Sequence, residues 1–214
     1  NLARAPAMTG VPFALLRHAP TEWNDTGRLQ GLTDTPLSRA GEEMARRWRL
    51  PAPAAGWRRM SSPLQRARRT AELLRPAMPV EIDHALREMS FGIWEGHTLK
   101  DLRAEGGERF AAAEAAGLDF QPPGGESPRT AMARLSAWTA TLSEPVVAVS
   151  HKAAIRALLA LATGWDMLGR PPHKLDWRAV HFFVASGDGK VAIDRLNVPF
   201  DRVDAEIALA GTGP

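Results

Sequence analysis

Two short apolar runs constrain this chain more than any other feature, because each ends in a histidine and leads into turn or helix signals. Val11 to Leu16 reads Val-Pro-Phe-Ala-Leu-Leu and is followed by Arg17-His18. Pro145 to Ser150 reads Pro-Val-Val-Ala-Val-Ser and is followed by His151. Continuous apolar runs of this length, bounded by turn residues, are the pattern of strands buried on both faces. Strands of that kind belong in a sheet covered by helices, so they favour an α/β layering over an all-helical or all-β fold.

The remaining segments agree with that layering. Asp25 to Pro36 reads as a loop, and Ser38 is placed to cap a helix running towards Leu50, with Glu42 and Glu43 in its first turn. Trp57 to Ser61 predicts a second strand. A helix predicted from Pro63 buries Leu64, Ala67, Ala71 and Leu74. Val80 to Asp83 predicts a brief strand, Leu86 to Thr98 a turn-rich loop, and Leu99 to Leu118 a helix interrupted at Gly106-Gly107. Ser127-Pro128 starts a helix with an apolar stripe of Met132, Leu135, Trp138 and Leu142. The helix after His151 turns Ile155, Leu158, Leu159 and Ala162 inwards. Ala179 to Ala185 and Val191 to Leu196 predict a closing hairpin around Gly187-Asp188-Gly189. The expected architecture is a three-layer sandwich, with a mostly parallel central sheet flanked by helices.

Composition narrows the function classes. At 214 residues, one domain over residues 11–214 is expected, with residues 1–10 as a flexible N-terminal extension. No apolar run is long enough to span a bilayer, so no membrane association is expected. The chain has no cysteine, which excludes disulfides, thiolate metal sites and a cysteine nucleophile; it fits a reducing interior, and a cytoplasmic location is expected. The net charge of +3 arises from scattered basic residues, a pattern that suits a small anionic substrate and gives no reason to expect nucleic-acid binding. The histidines show no metal-ligand spacing, so neither a metal nor a cofactor is expected. His181, in an apolar strand, reads as a buried structural residue.

In open α/β sheets ligands bind beyond the carboxyl ends of the strands. Arg17-His18, the Ser61-Ser62 turn leading to Arg66, and His151 all sit there and should converge on one crevice. An arginine fork beside an imidazole suits phosphoryl chemistry, with arginine holding the group that histidine attacks.

An ordered set of motifs carries a resemblance. It comprises Arg17-His18 with Thr21, Trp23 and Asn24; Arg28-Leu29-Gln30-Gly31; Ser61-Ser62-Pro63-Leu64-Gln65-Arg66; Arg87-Glu88 with Phe91-Gly92 and Trp94-Glu95-Gly96; Gly125-Glu126-Ser127; and Ser150-His151. Together they resemble the histidine phosphatase superfamily, which includes cofactor-dependent phosphoglycerate mutases and many small phosphatases. The resemblance implies a phosphoglycerate mutase-like fold and a metal-independent phosphomonoesterase acting through phosphohistidine. His18 resembles the nucleophile, Arg17 and Arg66 the grips on the phosphoryl oxygens, His151 the second pocket histidine, and Glu88 the proton donor. Asn24 would add a neutral donor, and Gln30 and Gly31 lie where the family contacts substrate near its phosphate. Glu95 is the competing carboxylate.

Two positions depart from the family pattern, Ala19 and Lys152, each standing where a glycine is usual. Ala19 either narrows the pocket mouth or is tolerated, and Lys152 either adds a cation near the pocket or points to solvent. The expected substrate is a small phosphorylated metabolite. α-Ribazole phosphate, sugar phosphates and broad specificity remain open, as does the oligomeric state, a homodimer included. The competing activities are a phosphoglycerate mutase and a catalytically silent phosphate-binding member. Aromatic residues in Phe91 to Phe120 and Gly164 to Trp177 are expected to wall the pocket.

Overall fold

Alternate residues of β1 (Val11–Arg17) set the layering. Phe13 and Leu15 enter one hydrophobic core, Ala14 and Leu16 the other, as the two-residue period of a strand requires. All four are fully buried, so helices must cover both faces. The computed structural model describes residues 9–74 and 78–201. Residues 1–8 of the expected N-terminal extension and residues 202–214 of the expected domain lie outside the described part.

Five further strands complete the sheet: β2 (Arg58–Ser61), β3 (Glu81–Ile82), β4 (Val146–Ser150), β5 (Ala179–Ala185) and β6 (Val191–Pro199). Their order is β3-β2-β4-β1-β5-β6. The first four run parallel, whereas β5 and β6 are antiparallel to their neighbours. The mostly parallel expectation thus holds, with four of the six strands parallel and the closing hairpin of β5 and β6 antiparallel.

The helices are α1 (Glu22–Asp25), α2 (Arg39–Arg47), α3 (Gln65–Leu74), α4 (Leu99–Glu114), α5 (Pro128–Ala140) and α6 (Lys152–Thr163). On one face, Leu135 and Trp138 of α5 and Ile155, Leu158 and Leu159 of α6 pack with Phe13 and Phe183. The Phe13 ring stacks on Phe183 at 5.5 Å and meets Trp138 edge-on at 5.6 Å, which are favoured aromatic geometries. On the other face, Ala45 of α2 and Ala67, Ala71 and Leu74 of α3 cover Val147, Val149 and Phe182. The result is the expected three-layer α/β sandwich.

Local signals place the helix ends. Ser38 accepts from the Gly41 N–H, Thr98 from Asp101 and Ser127 from Thr130. Gly107 takes φ +48° and kinks α4, the interruption that the glycine pair predicts. One start moves. Helix α3 begins at Gln65, two residues after Pro63, because the Ser62 hydroxyl accepts from the Leu64 N–H and Asp34 Oδ1 accepts from the Gln65 N–H. Residues 62–64 are therefore held as a turn that belongs to the site.

Candidate active site

Strands β1 and β4 lie side by side in parallel with Arg17 opposite Ser150, so the residues after them leave the sheet together. The His18 N–H donates to the Ser150 carbonyl at 3.0 Å, and the Ser62 N–H beyond β2 donates to Val149 at 3.0 Å. Three adjacent strand ends thereby deliver His18, His151 and the turn preceding Arg66 to one point. The two imidazole rings stand 5.1 Å apart, inclined at 55°.

His18 is buried and locked. Its Nδ1 lies 2.7 Å from the Ala19 carbonyl oxygen. A carbonyl only accepts, so Nδ1 carries the proton and Nε2 keeps its lone pair. The same peptide is pinned from α3, where Thr70 Oγ1 accepts the Ala19 N–H at 3.0 Å and donates to the Arg66 carbonyl at 2.7 Å. Burial first, then Arg17 and Arg66, hold the His18 pKa well below the ordinary histidine value, which keeps the ring neutral. Ala19 itself is fully buried in the second core. Its methyl group is core packing, which settles the question of a narrowed pocket mouth.

His151 is also fully buried. Its Nε2 lies 2.7 Å from Ser62 Oγ, while Nδ1 has no partner among the described residues. Burial, followed by Arg66, His18 and Arg17, lowers its pKa well below the ordinary value.

Arg66 is fully buried, and among the described residues no carboxylate is bound to it. Its Nη1 donates to the Thr33 carbonyl at 2.9 Å and its Nη2 to the Gly31 carbonyl at 2.7 Å. Among the described residues, the Nε atoms of both Arg66 and Arg17 are buried without a partner. Burial pulls both guanidinium groups down from their ordinary value against the field of Glu88; arginine starts so high that both stay charged. Buried cations with unsatisfied donors are costly, and an anion bound beside them would relieve that cost.

The two carboxylates separate cleanly. Glu95 accepts from the Leu32, Thr33 and Phe91 N–H groups and from the Thr33 hydroxyl. It is a clamp on the loop that holds Arg66. Gly31 sits inside that clamp at φ +52°, where a Cβ would lie 2.0 Å from Glu95 Oε1. Glu88 is buried beside the arginines. Its Oε1 accepts from the Met89 and Ala154 N–H groups, and its Oε2 accepts only from Ala153, at 3.2 Å. Glu88 thus occupies the start of α6, whose N-cap residue His151 makes no side-chain cap of its own.

A cavity of about 760 Å³ opens over His18, lined among others by Arg17, Asn24, Trp48, Lys174, Trp177 and Asn197. Asn24 caps α1 reciprocally with Thr21; its Oδ1 accepts the Thr21 N–H at 3.0 Å, which leaves the amide nitrogen as its donor. Gln30 is buried, with its side-chain oxygen accepting from Thr35. Gly31 contributes through its carbonyl, a role that residue type does not reveal. Of the two stretches expected to wall the pocket, the Lys174–Trp177 end of the second lines this cavity, and the Phe91 to Phe120 stretch does not. Trp94 packs on Phe110 at 4.8 Å and Phe120 at 5.5 Å, beside a separate cavity of about 400 Å³. Met44 and Trp48 of the α2 region take that place instead; their i, i+4 spacing reads as core packing in sequence. Among the described residues, no group of three or more His, Asp or Glu side chains is placed to hold a metal ion, and no helix is long and apolar enough to cross a membrane.

Comparison with known proteins agrees with this geometry. The chain is 37% identical over 183 residues to the glucosyl-3-phosphoglycerate phosphatase of Mycolicibacterium vanbaalenii, covering 73% of this chain and 78% of that protein. It is 32% identical over 159 residues to a probable phosphoglycerate mutase, GpmB, of Escherichia coli, covering 70% and 74%. The crystal structure of the α-ribazole phosphatase from Shigella flexneri superimposes with a TM-score of 0.73 at 26% identity, covering 91% of this chain and all of that one. The family model for branch 1 of the histidine phosphatase superfamily matches residues 13–198. With the two histidines, two arginines and one glutamate of that motif set gathered at one sheet end, the chain is an enzyme of the histidine phosphatase superfamily, branch 1.

Proposed function

We propose that the protein hydrolyses small phosphorylated metabolites through a phosphohistidine formed on His18 Nε2. The observation that carries this reading is the locked, neutral His18, whose free Nε2 lies within the field of the partly buried Arg17 and the fully buried Arg66. The unpartnered Nε atoms of the arginines and Nδ1 of His151 are the donors for the phosphoryl oxygens. Ser62 Oγ accepts from the Leu64 N–H; donating its own proton to His151 Nε2 leaves the ring proton on Nδ1, where it can stabilise the transition state.

The steps follow from these assignments. His18 Nε2 attacks phosphorus, the ester P–O bond breaks, and the departing oxygen takes a proton from Glu88. Oε2 of Glu88 carries that proton, since Oε1 is already filled by two N–H donors. Water then attacks the phosphohistidine, the Glu88 carboxylate takes its proton, and phosphate leaves with His18 restored. Asn24 adds a donor at the cavity wall, and Gln30 and Gly31 border the phosphate end of the substrate.

Hydrolysis is favoured over a mutase cycle because the span from Glu88 to His151 is compact and rich in Gly and Ala, as in the phosphatase branch of the family, whereas a mutase goes with extra chain there. The test is p-nitrophenyl phosphate turnover in excess EDTA by the wild type and His18→Ala. Turnover lost in the variant supports the reading, and turnover close to wild type in the variant contradicts it.

A further inference from the structure

Beside the catalytic cavity lies a second one of about 250 Å³, and the two share Lys174, Leu175 and Trp177 as a common wall. Its floor is the outer face of α6, where Lys152 and Arg156 stand one turn apart. Every titratable side chain lining it is basic: Lys152, Arg156, His173 and Lys174. Ten other basic residues form ion pairs with carboxylates. Lys152, Arg156 and Lys174 form none among the described residues.

Aromatic rings hold these cations in place. Lys152 Nζ lies 5.6 Å from the Trp177 ring centre, and the Arg156 guanidinium 5.1 Å from that of Trp165. Lys152 is also the first residue of α6, where the helix dipole disfavours a cation. A local rule broken beside a site marks a functional constraint. The lysine side chain is partly exposed, and its ammonium is drawn below its ordinary value by partial burial, then by Arg17 and Arg156, against the opposing field of Glu88. Two carboxylates line the neighbouring catalytic cavity, Asp25 and Asp176, and Asp176 accepts the Arg178 N–H through Oδ1; the Glu88 carboxylate accepts the Ala153 and Ala154 N–H groups at the start of α6.

We propose that this cavity is an anion subsite, in which Lys152 and Arg156 seat a second anionic group on the alcohol portion of the substrate while the phosphoryl group occupies the His18 pocket. The inference rests on the phosphatase reading and gives it a substrate class: phosphomonoesters that carry a carboxylate or a second phosphate beyond the ester carbon. A basic cavity with apolar walls concentrates such a group, and charge-assisted contacts hold it.

Calorimetry on the His18→Ala protein reads the subsite without turnover. Two matched pairs serve as probes: 3-phosphoglycerate against glycerol 3-phosphate, and fructose 1,6-bisphosphate against fructose 6-phosphate. The expected result is about tenfold tighter binding of the doubly charged member in one pair or both. The pair that shows it distinguishes carboxylate from phosphate. Lys152→Met and Arg156→Met, each added to His18→Ala, should reduce that ratio to about threefold or less, with Lys152→Arg restoring it. Equal affinities within both pairs, no binding of any ester, or a preference surviving both methionine variants overturns the subsite. Wild-type turnover of p-nitrophenyl phosphate is measured alongside. Its absence would count against the phosphatase reading, whatever the calorimetry shows.

Discussion

The two ends of strand β2 treat arginine in opposite ways. At its start, Arg58 is partly exposed and reaches two carboxylates, with its Nε 2.8 Å from Glu81 Oε1 and its Nη1 2.6 Å from Glu144 Oε1. These partners raise its pKa above the ordinary value. Beyond the other end, Arg66 is fully buried, bound only to two carbonyls, and its pKa is lowered by burial. A cation matched by carboxylates holds structure together. A buried cation that feels carboxylates nearby but is bonded to none of them among the described residues is arranged for an anion that comes from outside. The carboxyl edge of the parallel sheet collects unmatched cations, whereas its amino edge neutralises them.

The largest effect should come from removing the unmatched cation. Arg66→Met is expected to lower kcat/KM about a thousandfold, while its melting temperature changes far less, because an uncompensated buried charge disappears with the side chain. A large loss of stability with proportionate loss of activity would show instead that Arg66 is a structural residue.

Next comes the response to acid, which compares the buried histidines. His181 in β5 accepts the Asn197 N–H at Nδ1 and has its pKa lowered to about 4, mainly by burial. Unfolding lets it bind a proton near its ordinary value, so the unfolded state holds more protons and stability falls as pH drops from about 6.5 to 4. His181 alone should contribute a loss of about 3 kcal/mol over that window. His18 and His151 shift the same way. Urea denaturation at pH 7 and pH 4.5 measures the sum. His181→Gln, whose carbonyl can still accept from Asn197, should flatten the slope, and an unchanged slope would remove His181 from the account.

Gly31→Ala tests how Arg66 is held. The added Cβ meets the Glu95 carboxylate in a backbone conformation that L side chains rarely adopt, so Glu95 must move and the carbonyl anchors shift. Activity should fall about ten- to a hundredfold, through kcat more than KM, and wild-type kinetics would show that the clamp does not position Arg66. The smallest effect belongs to Arg58→Ala. Exposed ion pairs contribute little, so activity should stay within about twofold of wild type and melting should shift only slightly downwards. A loss of activity comparable to that of Arg66→Met would erase the contrast between the two edges.

Much of this site was legible in sequence because its chemistry is local to a few strand ends. Arg17-His18 and His151 each follow an apolar strand, and parallel pairing of β1 with β4 brings them together. The motif spacing favours Glu88 over Glu95, and the fold adds the physical reason, since Glu95 is consumed by four donors. The start of α3 shifted because its cap, Asp34, comes from a distant loop that residue-by-residue signals cannot see. Gly31 acts through a backbone carbonyl, which leaves no trace in residue type. Trp94, Phe110 and Phe120 were expected at the pocket and pack together elsewhere, because aromatic residues read alike whether they face a ligand or each other. For Lys152 the sequence leaves two readings open, and its contact with the Trp177 ring comes from a segment distant in sequence, which residue type does not reveal.

The most direct test of the central claim is chemical trapping of the intermediate. The enzyme is mixed with substrate, quenched within milliseconds in alkali, where phosphohistidine survives, digested, and read by mass spectrometry. The account predicts a phosphate on the peptide containing His18, lost on acid treatment and absent from His18→Ala. Steady turnover with no phosphorylated peptide, or with the phosphate on His151, would contradict it.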